Sequence, residues 1–194
     1  MSRKSEIHRK TLETDVHVVL DLDKKGENEI STKIPFFDHM LDLFSKHGNF
    51  NFSVKAQGDI EVDYHHTVED IGIAAGTAFK EALGDKKGIA RYGNCSLPMD
   101  ETLANTALDI SGRPYLVYNL PDEIRARGSF SPYLAKEFFR AFVLNSGITL
   151  HINVLYGENE HHIIEAVFKS FAKALAQACR VESQEIPSTK GILQ

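Results

Sequence analysis

His65-His-Thr-Val-Glu-Asp-Ile-Gly-Ile-Ala-Ala-Gly-Thr-Ala-Phe-Lys-Glu-Ala-Leu83 and His161-His-Ile-Ile-Glu-Ala-Val-Phe-Lys-Ser-Phe-Ala-Lys-Ala-Leu-Ala-Gln-Ala178 read as one helix written twice. Each opens on the word His-His-x-x-Glu and continues with alanines and apolar residues at helical spacing, the pattern of a closely packed amphipathic helix. Self-similarity of this kind governs how the flanks are read. Upstream, Pro35-Phe-Phe-Asp-His-Met-Leu-Asp-Leu-Phe-Ser-Lys-His-Gly48 matches Pro132-Tyr-Leu-Ala-Lys-Glu-Phe-Phe-Arg-Ala-Phe-Val-Leu-Asn145. Both begin with the proline that suits a first helical turn. An alternating strand follows each, Phe50–Ala56 in one half and Ile148–Val154 in the other. Before those helices, Thr14–Leu22 and Glu29–Ile34 are predicted strands, matched by Asn105–Ile110 and Tyr115–Asn119. The turn signals Lys25-Gly26-Glu27-Asn28 and Ser111-Gly112-Arg113-Pro114 separate them.

The pattern predicts an α+β fold of two tandem β-β-α-β-α repeats, each a mostly antiparallel sheet with helices packed on one face. Residues 1–90 form the first repeat and 91–194 the second, with the junction near the Gly- and Lys-rich Gly84–Pro98, in one compact unit. A chain of 194 residues that is 42% hydrophobic suffices for such a core. The net charge of −5 argues against nucleic acid or an anionic membrane as partner. No run reaches membrane-spanning length, and the polar start MSRKSEIHRK shows no secretory signal. Cys95 and Cys179 lack CxxC spacing, so a soluble, cytoplasmic protein without thiolate metal sites is expected.

In a helix the first His and the Glu of each word stack on one face roughly 6 Å apart, close enough to share one metal ion. The middle His is turned about 100° away, which points it to a second ion or a second chain. Aligning the halves sets His39 opposite Glu137. The candidate ligands are then His39, His65, His66 and Glu69 with Glu137, His161, His162 and Glu165, enough for two ions with four protein ligands each. Imidazole and carboxylate without thiolate fit Mn, Fe, Zn, Co or Ni.

These motifs resemble the imidazoleglycerol-phosphate dehydratase family. The likeness runs from Arg9-Lys-Thr-Leu-Glu-Thr14 through Phe37-Asp-His-Met-Leu, the two His-His words, Arg91-Tyr-Gly, Pro98-Met-Asp-Glu-Thr and Asp109-Ile-Ser-Gly-Arg-Pro to Pro187-Ser-Thr-Lys-Gly191. The resemblance implies a lyase of histidine biosynthesis that dehydrates imidazole glycerol phosphate to imidazole acetol phosphate. It implies two divalent ions per site, Mn2+, at contacts in a homo-oligomer of twenty-four subunits. It also implies a metal-held imidazolate whose electron density expels the neighbouring hydroxyl, making the adjacent proton easier to remove.

By the same resemblance Glu13 is the acid/base candidate and a substrate contact. His39, His47, His65, Glu69, His161, Glu165 and Lys169 fall at family substrate positions, as do Arg91, Arg113, Ser188, Thr189 and Lys190, whose cations suit a phosphate monoester. Asp70 and Asp100 are expected to orient ligand imidazoles. Two positions depart from the family pattern. Glu137 stands where many relatives have His, and Tyr64 replaces a usual Asp. The rival readings are a binuclear metallohydrolase of phosphate esters and a metal-storage or assembly scaffold.

Overall fold

Val16, Val18 and Leu20 alternate with His17 and Val19, which turns the first three fully into the core. They lie in the computed structural model on β2, one of eight strands among the described residues, 3–24, 26, 28–121 and 130–193. The first half runs β1 (Lys4–Lys10), β2 (Thr14–Asp21), β3 (Ile30–Ser31), α1 (Pro35–Gly48), β4 (Asn51–Gly58) and α2 (His65–Leu83). The second runs β5 (Tyr92–Met99), β6 (Thr102–Asp109), β7 (Tyr115–Asn119), α3 (Pro132–Ser146), β8 (Thr149–Tyr156) and α4 (Glu160–Ala178). The sheet orders are β1-β2-β4-β3 and β5-β6-β8-β7, the same plan twice.

Most pairings are antiparallel, while β3 on β4 and β7 on β8 are parallel. A parallel neighbour requires a crossover, and α1 and α3 supply it. The predicted duplication therefore holds, with one strand added at the start of each half. β1 escapes sequence reading because its pattern, Lys-Ser-Glu-Ile-His-Arg-Lys, is polar except for Ile7, as an edge strand tolerates. β5 lies, but for its last residue, inside the stretch expected as junction and carries Gly93, Asn94 and Pro98, residues admitted at a sheet edge. The turn expected over 25–28 falls partly outside the described residues, at 25 and 27.

Both proline-initiated helices stop in the same way. Asn49 and Gly147 adopt left-handed backbone (φ 66° and 75°), and their N–H groups return to Ser45 O and Val143 O. α2 covers the first sheet and α4 the second, while α1 packs on α4 and α3 on α2. Each helix pair thus takes one helix from each half. At the α2–α3 crossing a Cβ on Gly72 or Gly76 would lie 2.7 Å from Phe138 O or 2.5 Å from Phe142 O, so the two backbones meet closely. Phenylalanines join the halves: Phe44 stacks on Phe171 at 5.6 Å, and Phe79 meets Phe142 at 5.6 Å. Each such buried ring contributes about 1.5–3 kcal/mol.

Candidate metal centres and substrate site

Two clusters of three ligand-type side chains arise from the helix pairing. His39 of α1 meets His161 and Glu165 of α4, and Glu137 of α3 meets His65 and Glu69 of α2, with the donor atoms of each group all within 4.8 Å. The i, i+4 pairs behave as the spacing requires: His161 Nε2 is 3.0 Å from Glu165 Oε2, and His65 Nε2 is 3.7 Å from Glu69 Oε2. His39 Nε2 reaches the same Glu165 oxygen at 3.6 Å. The expected ligands are therefore sorted across the halves: His39 joins the second His-His word, and Glu137 joins the first. Both groups hold a nearly buried carboxylate, Glu137 at 5% and Glu165 at 6% exposure. A carboxylate in that position demands compensating positive charge. Burial works to raise the Glu165 carboxyl, but the Lys169 ammonium in contact with it and His161 outweigh burial and hold it below the ordinary range. Glu137 has Arg140 at 3.4 Å. The donor set of imidazole and carboxylate fits a divalent cation of the first transition row.

Helix α4 begins with Asn159 Oδ1 accepting from His161 N–H at 3.0 Å, and α2 begins with Asp63 Oδ1 accepting from His65 N–H at 2.7 Å. These caps fix where each His-His word enters its helix. Tyr64, beside the second cap, lines a small cavity with His65 and Tyr133, and the Tyr133 ring stacks on His65 at 6.3 Å.

His66 and His162 stand apart from the clusters, as their rotation about the helix demands. His66 Nδ1 is 3.0 Å from Asp59 Oδ2 and 3.8 Å from Glu13 Oε2. His162 Nδ1 is 2.7 Å from Glu101 Oε2. The Asp59 and Glu101 hydrogen bonds hold the two imidazoles above the usual histidine range. Conversely His162, helped by the backbone N–H of Asn159, pulls Glu101 down to about 2. Sequence reasoning missed Asp59 and Glu101. Glu101 had a signal, since Glu101-Thr102 repeats Glu13-Thr14 at the start of the corresponding strand. Asp100, expected to orient an imidazole, lies 3.8 Å from His162 Nε2 and is largely exposed; its neighbour Glu101 makes the close bond. Asp70 faces no imidazole in these contacts. It accepts from Arg9 Nε at 2.9 Å and from the Thr14 hydroxyl, tying α2 to the β1–β2 corner.

The expected phosphate-binding residues gather around Asp109. Its carboxylate accepts from Arg91 Nε at 2.7 Å and Nη2 at 3.1 Å and lies 3.7 Å from Arg113 Nη2. Arg91 Nη1 donates to Pro187 O at 2.9 Å, which brings the chain segment carrying Ser188, Thr189 and Lys190 to the same corner. Lys169 is placed instead on α4 beside Glu165, with Met99 Sδ at 3.7 Å. His47 lines an open cleft of about 820 Å3 with Lys46, Lys173 and Arg180. Burial and then the Lys169 and Lys173 charges lower its pKa. Both cysteines are free, and burial pushes the Cys179 thiol up to about 12. Among the described residues no helix is long and apolar enough to cross a membrane.

This geometry has close counterparts. The family model for imidazoleglycerol-phosphate dehydratase matches residues 32–175. The imidazoleglycerol-phosphate dehydratase of Geobacter sulfurreducens is 57% identical over 195 residues, covering all of both chains. That of Caldanaerobacter subterraneus is 56% identical over 98% of this chain and 100% of its own. Among solved structures, the imidazoleglycerol-phosphate dehydratase of Staphylococcus aureus superimposes with a TM-score of 0.83 at 40% identity, over 92% of this chain and 99% of its own. The enzyme of Pyrococcus furiosus, in complex with (S)-C348, gives 0.84 at 37% identity, over 96% and 100%. The chain belongs to the imidazoleglycerol-phosphate dehydratase family, whose members are hydro-lyases.

Proposed function

We propose that this chain dehydrates imidazole glycerol phosphate to imidazole acetol phosphate and water, the hydro-lyase step of L-histidine biosynthesis, using two divalent ions, Mn2+, per site. Family membership supports the dehydration. The observation that carries the metal dependence is the pair of imidazole–carboxylate clusters, each closing on a nearly buried glutamate. His39, His161 and Glu165 would hold one ion, and His65, Glu69 and Glu137 the other. When bound, such an ion would supply Lewis acidity that favours the imidazolate form of the substrate.

The protein's own groups do the rest. Glu13, more than half exposed near His66, is the carboxylate that moves a proton at the substrate carbon. Arg91, Arg113, Lys169 and the Ser188–Lys190 segment bind and orient the phosphate, and His47 contributes a substrate contact from its own cleft beside Lys173. The half-exposed rings of His39 and His161 leave one cluster open on one side, and the partly exposed His65 and Glu69 leave the other open. His66 and His162 lie outside the clusters, and a second copy would complete the coordination. We take the chain as one of twenty-four subunits of a homo-oligomer working in the cytoplasm, and family membership is what supports this.

The test is to strip the purified protein with chelator and measure metal content and dehydratase turnover together. Activity is expected to fall to background and return on adding Mn2+. Full turnover in the stripped protein would contradict the metal-dependent reading.

A further inference from the structure

We propose that Asp59 and Glu101 are positioning residues that fix the rings of His66 and His162, and that capture of His66 by Asp59 is what leaves the Glu13 carboxylate free to act. The inference rests on the metal-dependent reading above and adds a division of labour among the carboxylates of the duplicated corner.

The two corners are built alike. Glu13-Thr14 opens β2 and Glu101-Thr102 opens β6, while Gly58-Asp59 closes β4 and Gly157-Glu158 follows β8. The equivalence extends to packing. A side chain on Gly58 would collide with Thr67 and Thr14, and one on Gly157 with Thr102 and Ile163, the residues that answer to each other in the two halves. Each corner therefore presents two acidic positions to the middle histidine of its His-His word.

The halves use those positions in opposite ways. In the first, Asp59 takes His66 Nδ1 at 3.0 Å, and Glu13 stands off at 3.8 Å with its side chain 56% exposed. In the second, the equivalent of Glu13 is consumed. Glu101 Oε2 takes His162 Nδ1 at 2.7 Å, and its other oxygen accepts from the backbone N–H of Asn159 at 2.9 Å and of Glu158 at 3.3 Å. Glu158, which stands where Asp59 stands in the first half, thus supports Glu101 through its backbone. A carboxylate accepting at Nδ1 fixes the proton there and leaves the Nε2 lone pair for a ligand, which defines both tautomer and ring direction. One scaffold accordingly yields a committed glutamate in one half and an available one in the other.

The inference is tested on the full chain with Asp59→Ala, Asp59→Asn, Glu101→Ala, Glu101→Gln and Glu13→Gln. Mn2+ binding to stripped protein is measured by titration calorimetry, beside kcat, KM and thermal midpoint. The alanine variants are expected to bind Mn2+ about 10–100-fold more weakly. The amide variants, which keep an oxygen acceptor for Nδ1–H, should recover most of that loss. Glu13→Gln should lower kcat while binding Mn2+ like the parent, whereas Asp59→Ala should lower both. Alanine variants that bind like the parent, or amides no better than alanine, would overturn the positioning role. Should one alanine variant fail to fold, its amide counterpart and the other pair still decide. A parent chain that binds no Mn2+ defeats the underlying metal reading itself, an outcome distinct from parent-like binding by the variants.

Discussion

Glu101 and His162 are separated by 61 positions in the chain, yet form the shortest of the corner's hydrogen bonds. Their mutual shifts define a pH window. His162 is raised above 6.5, so its contribution to the metal-free fold is complete below that value and is lost as pH rises through the raised one. Glu101 is lowered from 4.5 to about 2, so its contribution is complete above 4.5 and is lost as pH falls toward 2. In stripped protein, the thermal-midpoint advantage of the parent over Glu101→Gln should be largest between about 4.5 and 6.5 and shrink on either side. A pH-independent difference would mean that the pair is not coupled. At this scale the His–Glu pairs of the two His-His-x-x-Glu words were legible because helical spacing alone places a His and a Glu on one face. Asp59 and Glu101 were not, because strand corners bring them in and no periodicity marks a corner. The role expected for Asp70 went astray for the same reason: an acid in the first turns of a helix can answer an imidazole or, as here, an arginine from a neighbouring strand.

The helices announced themselves by period and by their prolines, and the inner strands by alternation. The outer strands β1 and β5 carried no such signal, since an edge can be almost wholly polar or hold a proline. The helix pairing also lay beyond the sequence, although its device is visible in retrospect at Gly72 and Gly76. These glycines let α2 approach α3 until Glu137 stands beside His65 and Glu69. Gly76→Val would press its side chain against the Phe142 backbone and is expected to cost about 1–3 kcal/mol. The fall should appear in the thermal midpoint, with weakened metal binding at the Glu137 cluster. An unchanged midpoint would show that the crossing has slack that the 2.5 Å approach denies.

Across the whole molecule, duplication and exchange act together. Two equal halves each build a sheet, and each half lends a helix to the other's metal-type cluster, so neither cluster exists in a half by itself. The repeat was readable from the two His-His words, but the exchange was not, because sequence similarity between α1 and α3 leaves open which partner each chooses. The buried phenylalanines fill the space between the halves and make that choice a packing result. The most direct measurement is an anomalous difference map at the manganese edge from crystals grown with Mn2+. The account predicts two peaks per chain, one among His39, His161 and Glu165 and one among His65, Glu69 and Glu137. Peaks elsewhere, or none at either cluster, would contradict it.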